Sequence, residues 1–361
     1  MCTRVLRNTD EYGPVLVGRT MDWPLSTQAR LVVFPPGRRR HGGKVGGEDV
    51  IPHLDNPQEW TSDYGSIVAC CYGIGSVDGI NERGLAAHLL YLKATDTGPR
   101  TDKPGIHIGL WAQYVLDKAA TVEEALELLK GVDIVKIDIK VPGEDGEEHD
   151  IAGTLHLALE DARGDSAIIE YVEGKATVYH DREYTVMTND PPYNEQLKLL
   201  EKVKEGLENE NGEIVPSRDL PLPGNVSATD RFQRATYFHL LLPKTPEPPE
   251  TKPLSSEEKQ YRRAVAGMLS IARNVSVPFG APYNDEFPIY DTEYRTLSDL
   301  TKRRYFFELS VSPNLIWTGI DETTFQTSDP DGLVKTLNPY TLELDACGDV
   351  TERFTLEKVA F

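Results

Sequence analysis

The chain opens Met1-Cys2-Thr3-Arg4 and, one short turn later, reads Gly18-Arg19-Thr20-Met21-Asp22-Trp23. Thr3 to Leu6 and Val15 to Thr20 have strand-forming composition. The polar segment Asn8 to Pro14 between them carries Asp10 and Gly13, residues suited to a turn. A hairpin is predicted, and it returns Arg19 and Asp22 to the start of the chain. Cys2 directly follows the initiator methionine, and so small a residue permits its removal. Cys2 would then carry a thiol and a free α-amine together. The amine's reference pKa of about 7.7–8.0 suits it to act as general base for its own thiol. Such a nucleophile also needs a group to orient the amine, a positive charge near sulfur and donors for the oxyanion. On the returning strand, Asp22 is placed to accept from the ammonium and Arg19 to favour the thiolate. On pattern alone, an Arg and an Asp at this spacing are more often a surface pair.

The 361 residues are 39% hydrophobic and 27% charged, an ordinary globular composition. No linker-like stretch divides them, so one domain over residues 1–361 is expected. No apolar run approaches the roughly 18 residues of a membrane-spanning helix, and no membrane partner is expected. The N-terminus lacks the basic-then-apolar pattern of a signal peptide. A cytoplasmic protein is expected from the chain as written, a periplasmic or secreted one if a leader has been removed from a longer precursor. The formal charge of −20 would repel nucleic-acid phosphates and suits a small-molecule enzyme. The four cysteines are Cys2, Cys70, Cys71 and Cys347. Cys70 and Cys71, adjacent in a strand, would point to opposite faces and not pair. There is no disulfide framework and no CxxC pair for zinc. None of the eight histidines has ligand spacing to another, and none is assigned a catalytic role. No metal or organic cofactor is called for.

Further strands are predicted at Leu31 to Phe34, Ser66 to Tyr72 and Gly84 to Leu92, the last two joined by a Gly-rich connection from Gly73 to Arg83. A helix is expected from Ile106 to Asp117 and another from Thr121, where Thr121 and Glu124 have capping-box spacing. Residues 141–150 read as an acidic loop. Strands follow at Thr154 to Leu159, Ala167 to Val172 and Tyr184 to Thr188, then a helix to Lys204 and a loop over 205–228. Asp230 to Leu242 and Ser255 to Arg273 read as helices around a Pro-rich connection, the second with Ser255 and Glu258 as a capping box. Strands resume at Arg303 to Leu309, Asn314 to Gly319 and near Arg353 to Val359. Strands in runs and helices in pairs favour layered α+β over βαβ alternation.

The opening Cys-Thr-Arg and the Gly18 to Trp23 segment together resemble the choloylglycine hydrolase family of N-terminal-nucleophile hydrolases. That family contains penicillin V acylases and conjugated bile acid hydrolases. Asp78-Gly79-Ile80-Asn81-Glu82-Arg83-Gly84-Leu85 is similar to its D-G-[MI]-N-E-[KR]-G-L turn and strand. Val186 to Pro191 is similar to its T-N-x-P segment, and Leu222-Pro223-Gly224 through Ser227 to Phe232 to its L-P-G…S-x-x-R-F segment. Asn274 to Pro278 resembles its V-S-V-P stretch. The matches occur in order over most of the chain.

The resemblance implies a four-layer αββα sandwich, two antiparallel sheets between helical layers, and often a homotetramer. Carried over residue by residue, it implies Cys2 as nucleophile, with Arg19 and Asp22 beside its sulfur and amine. Asn189 would donate its side-chain amide to the oxyanion, the backbone N–H at Tyr91 would be the second donor, and Arg231 would support the network. The implied reaction runs through a thioester on Cys2. Read alone, Asn189 is a natural turn residue, Tyr91 a core residue and Arg231 a solvated one. Bile-acid-cleaving members tend to carry asparagine at the position of Tyr91, which tilts the reading to an acylase for aryloxyacetyl or fatty-acyl amides, acyl-homoserine lactones among them. The span from Asn189 to Arg231 is also shorter than in bile-acid-cleaving members. Met21, Trp23 and Trp60 are candidates to line an apolar acyl pocket. The alternative is a conjugated bile acid hydrolase. A papain-like enzyme lacks a suitable internal cysteine, an N-terminal-cysteine glutaminase lacks an ammonia-acceptor domain, and a non-catalytic binding homologue would keep Met1.

Overall fold

The computed structural model describes residues 1–361 apart from 9–12, 46, 52–53, 143–146, 218, 243–254, 285–288, 313, 322–323, 327–328 and 330–331. The predicted hairpin is present. Cys2–Arg7 pairs antiparallel with Leu16–Asp22, placing Cys2 opposite Met21 and Arg4 opposite Arg19. Its turn lies largely outside the described residues. Every residue of both strands is buried, because each face is covered by another layer.

The hairpin sits inside a seven-stranded sheet. Its order is Val186–Met187, Cys2–Arg7, Leu16–Asp22, Thr292–Asp299, Arg304–Leu309, Ile316–Gly319 and Gly348–Asp349. All neighbours are antiparallel except the last pair. A second, nine-stranded sheet is antiparallel throughout. It runs Lys175–His180, Ser166–Val172, Leu155–Glu160, Ala86–Tyr91, Gly75–Asn81, Ser66–Cys71, Arg30–Phe34, Leu333–Leu337 and Thr355–Lys358.

One apolar core fills the space between the sheets and continues to α3 (Tyr193–Leu207), α4 (Ala228–Leu240) and α5 (Ser256–Asn274). A second core joins the outer face of the nine-stranded sheet to α1 (Trp111–Lys118) and α2 (Val122–Leu129). The layers are therefore helix, sheet, sheet, helix, as the resemblance implied. Cys70 and Cys71 fall in different cores, on opposite faces of their strand, and both are free thiols. The Thr121 and Ser255 hydroxyls cap their helices, accepting from the Glu124 and Glu258 N–H groups as their spacing predicts. Among the described residues no helix is long and apolar enough to cross a membrane.

Several elements differ from expectation. The Gly73 to Arg83 connection contains a strand, Gly75–Asn81. Its glycines reflect close approach, since a Cβ on Gly75 would lie 1.9 Å from the Gly109 carbonyl oxygen. The helix expected from Ile106 begins at Trp111, because Gly105–His107 pairs with Asp133–Val135. Part of the acidic loop is a hairpin, Asp138–Pro142 with Glu148–Ala152. Thr292–Asp299, at the centre of the seven-stranded sheet, was not foreseen. The Pro-rich connection lies outside the described residues.

Candidate active site

Alternation along the hairpin sorts its side chains into two sets. Cys2, Arg4, Arg19 and Met21 share one face, and Thr3, Thr20 and Asp22 share the other. On the first face, Arg19 Nη2 lies 3.3 Å from Cys2 Sγ and 3.6 Å from Met21 Sδ. Two carbonyls from the facing sheet seat the guanidinium: Nη1 donates to Val77 O and Nη2 to Leu89 O, each at 2.9 Å. Burial by itself favours neutral guanidine, but Cys2, Tyr294 and Asp78 outweigh it, so Arg19 remains a cation.

Beyond the sulfur opens a cavity lined mainly by apolar groups, among them Met21, Trp23, Val77, Leu89, Ile139 and Ile151. The last two come from the hairpin formed out of the acidic segment. Trp23 packs against the Tyr91 ring at a centroid distance of 5.8 Å. Met21 and Trp23 are both among the residues that line this cavity. Trp60 is not. Its ring packs on Tyr114 and its indole N–H donates to Asp117 at 2.8 Å, in the core beneath α1. The short strand Glu59–Thr61, paired with Arg39–His41, directs it there.

On the other face Arg231, fully buried, arrives from α4. Its Nη1 donates to Cys2 O (2.8 Å) and Thr3 Oγ1 (2.5 Å) and lies 3.1 Å from Asp22 Oδ2, while Nη2 donates to Asn189 Oδ1 (3.0 Å). Asp22 further accepts from Thr20 (3.1 Å) and Thr292 (2.6 Å). Asn189 follows the strand Val186–Met187, which pairs with the Cys2 strand. Its Oδ1 accepts from the Cys2 nitrogen at 2.6 Å, and its Nδ2 donates to Tyr91 O at 2.8 Å. Two donors on the oxygen and an acceptor on the nitrogen fix the amide's orientation.

The Cys2 nitrogen rests on Asn189, whereas the Asp22 carboxylate is occupied by Arg231 and two threonines. In the chain with Met1 in place the terminal ammonium belongs to Met1, is buried, and donates to the Asp22 carbonyl oxygen. Burial, opposed by Cys2 and Asp22, lowers its pKa.

Two supporting residues escaped the sequence reading. Gln196 of α3 accepts from Thr188 N–H (3.0 Å) and donates to Asn189 O (2.7 Å), clamping the backbone on both sides of the Asn189 amide nitrogen. The Asp190 carboxylate accepts from Lys93 N–H at 3.1 Å and ties the end of the Tyr91 strand to the same turn. A helical glutamine and a turn aspartate have no local pattern that marks them.

Comparison with known proteins follows this geometry. Residues 2–333 match the family described as linear amide C–N hydrolases, choloylglycine hydrolase family. A penicillin V acylase of Pectobacterium atrosepticum is 36% identical over 337 residues, covering 90% of this chain and 82% of that protein. A bile salt hydrolase/transferase of Bifidobacterium longum is 25% identical over 67% of the chain and 75% of its own length. The solved structure of penicillin V acylase from Agrobacterium tumefaciens superposes with a TM-score of 0.77 at 36% identity, covering 99% of this chain and 98% of that one. A variant conjugated bile acid hydrolase from Clostridium perfringens, 21% identical, shares the fold with a TM-score of 0.67 over 93% of this chain and 96% of its own.

Proposed function

The chain belongs to the choloylglycine hydrolase family and is a linear amide C–N hydrolase; on that premise we propose that Cys2, freed of Met1, is its nucleophile and that it cleaves aryloxyacetyl or fatty-acyl amides in the manner of a penicillin V acylase. One observation carries the reading. The thiol stands at the foot of an apolar cavity, 3.3 Å from a buried guanidinium, with its own nitrogen held 2.6 Å from Asn189.

The steps follow from these positions. Loss of Met1 turns the Cys2 nitrogen into an amine, which takes the thiol proton. Sulfur attacks the amide carbonyl, and Arg19 stabilises the thiolate until it does. The tetrahedral oxyanion is met by the Asn189 Nδ2–H and the Tyr91 backbone N–H. The ammonium returns its proton to the leaving nitrogen as the C–N bond breaks. Water then cleaves the thioester, releasing the carboxylic acid and regenerating the thiol. Arg231 holds the Cys2 carbonyl, Asn189 and Asp22 in register throughout.

Intact mass combined with turnover of penicillin V, an acyl-homoserine lactone and a glycine-conjugated bile acid tests this directly. The expected result is a mass lacking Met1 and fastest turnover on the first or second substrate. Faster turnover of the bile acid would move the substrate assignment to the alternative, and retention of Met1 with no turnover would sink the nucleophile.

A further inference from the structure

Between the sheets lies a row of charged side chains that the proposed reaction does not use. Arg4, Glu160, His88 and Asp78 come from four different strands, and all are fully buried. Arg4 Nε meets Glu160 Oε1, His88 Nε2 lies 3.1 Å from Glu160 Oε2, and His88 Nδ1 lies 2.7 Å from Asp78 Oδ1. The seven-stranded sheet contributes the rest of the Asp78 surroundings, Thr296 Oγ1 and, at 3.0 Å, Tyr305 Oη. A neutral imidazole has one N–H and one lone pair, so it would turn that lone pair on one of two carboxylates. Only the imidazolium sets a positive charge against both carboxylates.

The backbone beside this row carries the consequence. Asp78 and His88 face each other directly across the strands Gly75–Asn81 and Ala86–Tyr91. Their chain neighbours Val77 and Leu89 are the residues whose carbonyls seat Arg19, which in turn lies against the Cys2 sulfur. Arg4, at the far end of the row, is the cross-strand partner of Arg19. We propose that His88, held as an imidazolium between Asp78 and Glu160, is a positioning residue: it staples two strands at the point where their carbonyls set Arg19 against the nucleophile. The proposal rests on the Cys2 reading above. His88 itself touches no reacting atom.

The electrostatics agree with the geometry. Burial alone would lower the His88 pKa, but Glu160 and Asp78 outweigh it and raise it to about 9. Asp78, pushed up by burial, is brought below its usual value by His88 and Arg19. Arg4 stands beyond Glu160, and Arg19 and Tyr305 stand around Asp78. The folded-state pKa of His88 exceeds its reference of about 6.5, so the staple is complete below that pH and is lost as pH rises through about 9.

The experiment is His88→Gln in the Met1-processed enzyme, read by the rate at which iodoacetamide alkylates Cys2 (followed by peptide mass), by kcat and KM, and by thermal melting. Alkylation and kcat are each expected to fall about tenfold while KM stays within about twofold, because the acyl cavity does not include His88. The wild type should lose alkylation rate relative to an unpaired thiol above pH 9, and the variant should not. A folded variant with unchanged alkylation and kcat overturns the proposal, as does a parallel change in kcat and KM that follows melting alone. If His88→Gln does not fold, Tyr305→Phe removes one donor from Asp78 and leaves the imidazole. Slowed alkylation there supports the staple, and an unchanged rate refutes it. Alkylation needs no turnover, so the staple is judged separately from the nucleophile, which Cys2→Ala tests by hydrolysis.

Discussion

The two sides of Cys2 are built differently. Its sulfur looks between the sheets into apolar surroundings relieved by one guanidinium, whose two terminal nitrogens also donate to backbone carbonyls. Its nitrogen and carbonyl look the opposite way, into a knot of Asn189, Arg231, Asp22 and three threonines that bind one another as much as they bind Cys2. A single β-residue reaches both because side chain and main chain leave a strand in perpendicular directions. The difference teaches a division of labour. Charge on the sulfur is managed by one nearby cation in a poorly screened space, whereas the nitrogen is managed by position, through many short hydrogen bonds.

That contrast can be broken one side at a time. Cys2→Ala removes the sulfur and leaves the polar knot whole, so hydrolysis should vanish while the melting temperature moves by no more than a few degrees; a variant that still turns over refutes the nucleophile. Asn189→Ala strikes the other side. On the proposed mechanism it removes an oxyanion donor worth about 2.7–4 kcal/mol, so kcat should fall by two to three orders of magnitude, and a steady-state assay showing less than a tenfold loss would mean that the amide only positions the nitrogen. Arg231→Lys keeps the charge but loses the planar fork that serves five partners, the Val226 carbonyl included; a loss of about 1.5–3 kcal/mol is expected in denaturant melts, with a matching decline in kcat. Trp23→Ala enlarges the apolar cavity on the sulfur side; if that cavity takes the acyl group, KM for an aryl-acyl substrate should rise about tenfold, equivalent to about 1.4 kcal/mol, with kcat nearly unchanged. The smallest effect is expected from salt. Arg19, Arg231 and Asp22 are 0–1% exposed, so raising ionic strength from about 0.05 to 0.5 M should alter kcat by less than about twofold; a steeper dependence would show that one of these charges reaches solvent.

Legibility followed the range of the interactions. The hairpin is readable because a turn and two strand-forming runs lie within one short stretch, and it returns Arg19 and Asp22 to the start of the chain as predicted. Thr292–Asp299 was not readable. It carries Glu293, Arg295, Ser298 and Asp299 in a central strand, and those polar groups look solvent-facing until partners from other elements are known, Glu308 for Arg295 among them. Gly75–Asn81 was mistaken for a connection because its glycines answer to a backbone contact with Gly109, which sequence does not display. Asn189, Tyr91 and Arg231 had ordinary local readings as turn, core and surface residues. Their convergence on Cys2 depends on strand pairing across more than half the chain, and only the family resemblance anticipated it. Trp60 failed for the converse reason: an aromatic side chain suits any apolar site, and Asp117 claimed its indole.

The first peptide bond of the chain has a consequence of timing. Met1 is 3% exposed, tucked among Val277 and Tyr290, and it extends the hairpin by one rung: Asp22 N–H donates to its carbonyl at 2.7 Å, and its own nitrogen donates back to Asp22 O. An aminopeptidase needs that terminus extended and exposed, and the closed sheet offers neither. If Cys2 is the nucleophile as proposed, excision would therefore belong to the interval while the segment is still unpaired, before the strands from later in the chain cover it. On the proposed mechanism, a molecule that closes first would keep its Met1 rung in place and be left folded but silent, so the fraction of active enzyme in a preparation would record a race between a protease and a β-sheet.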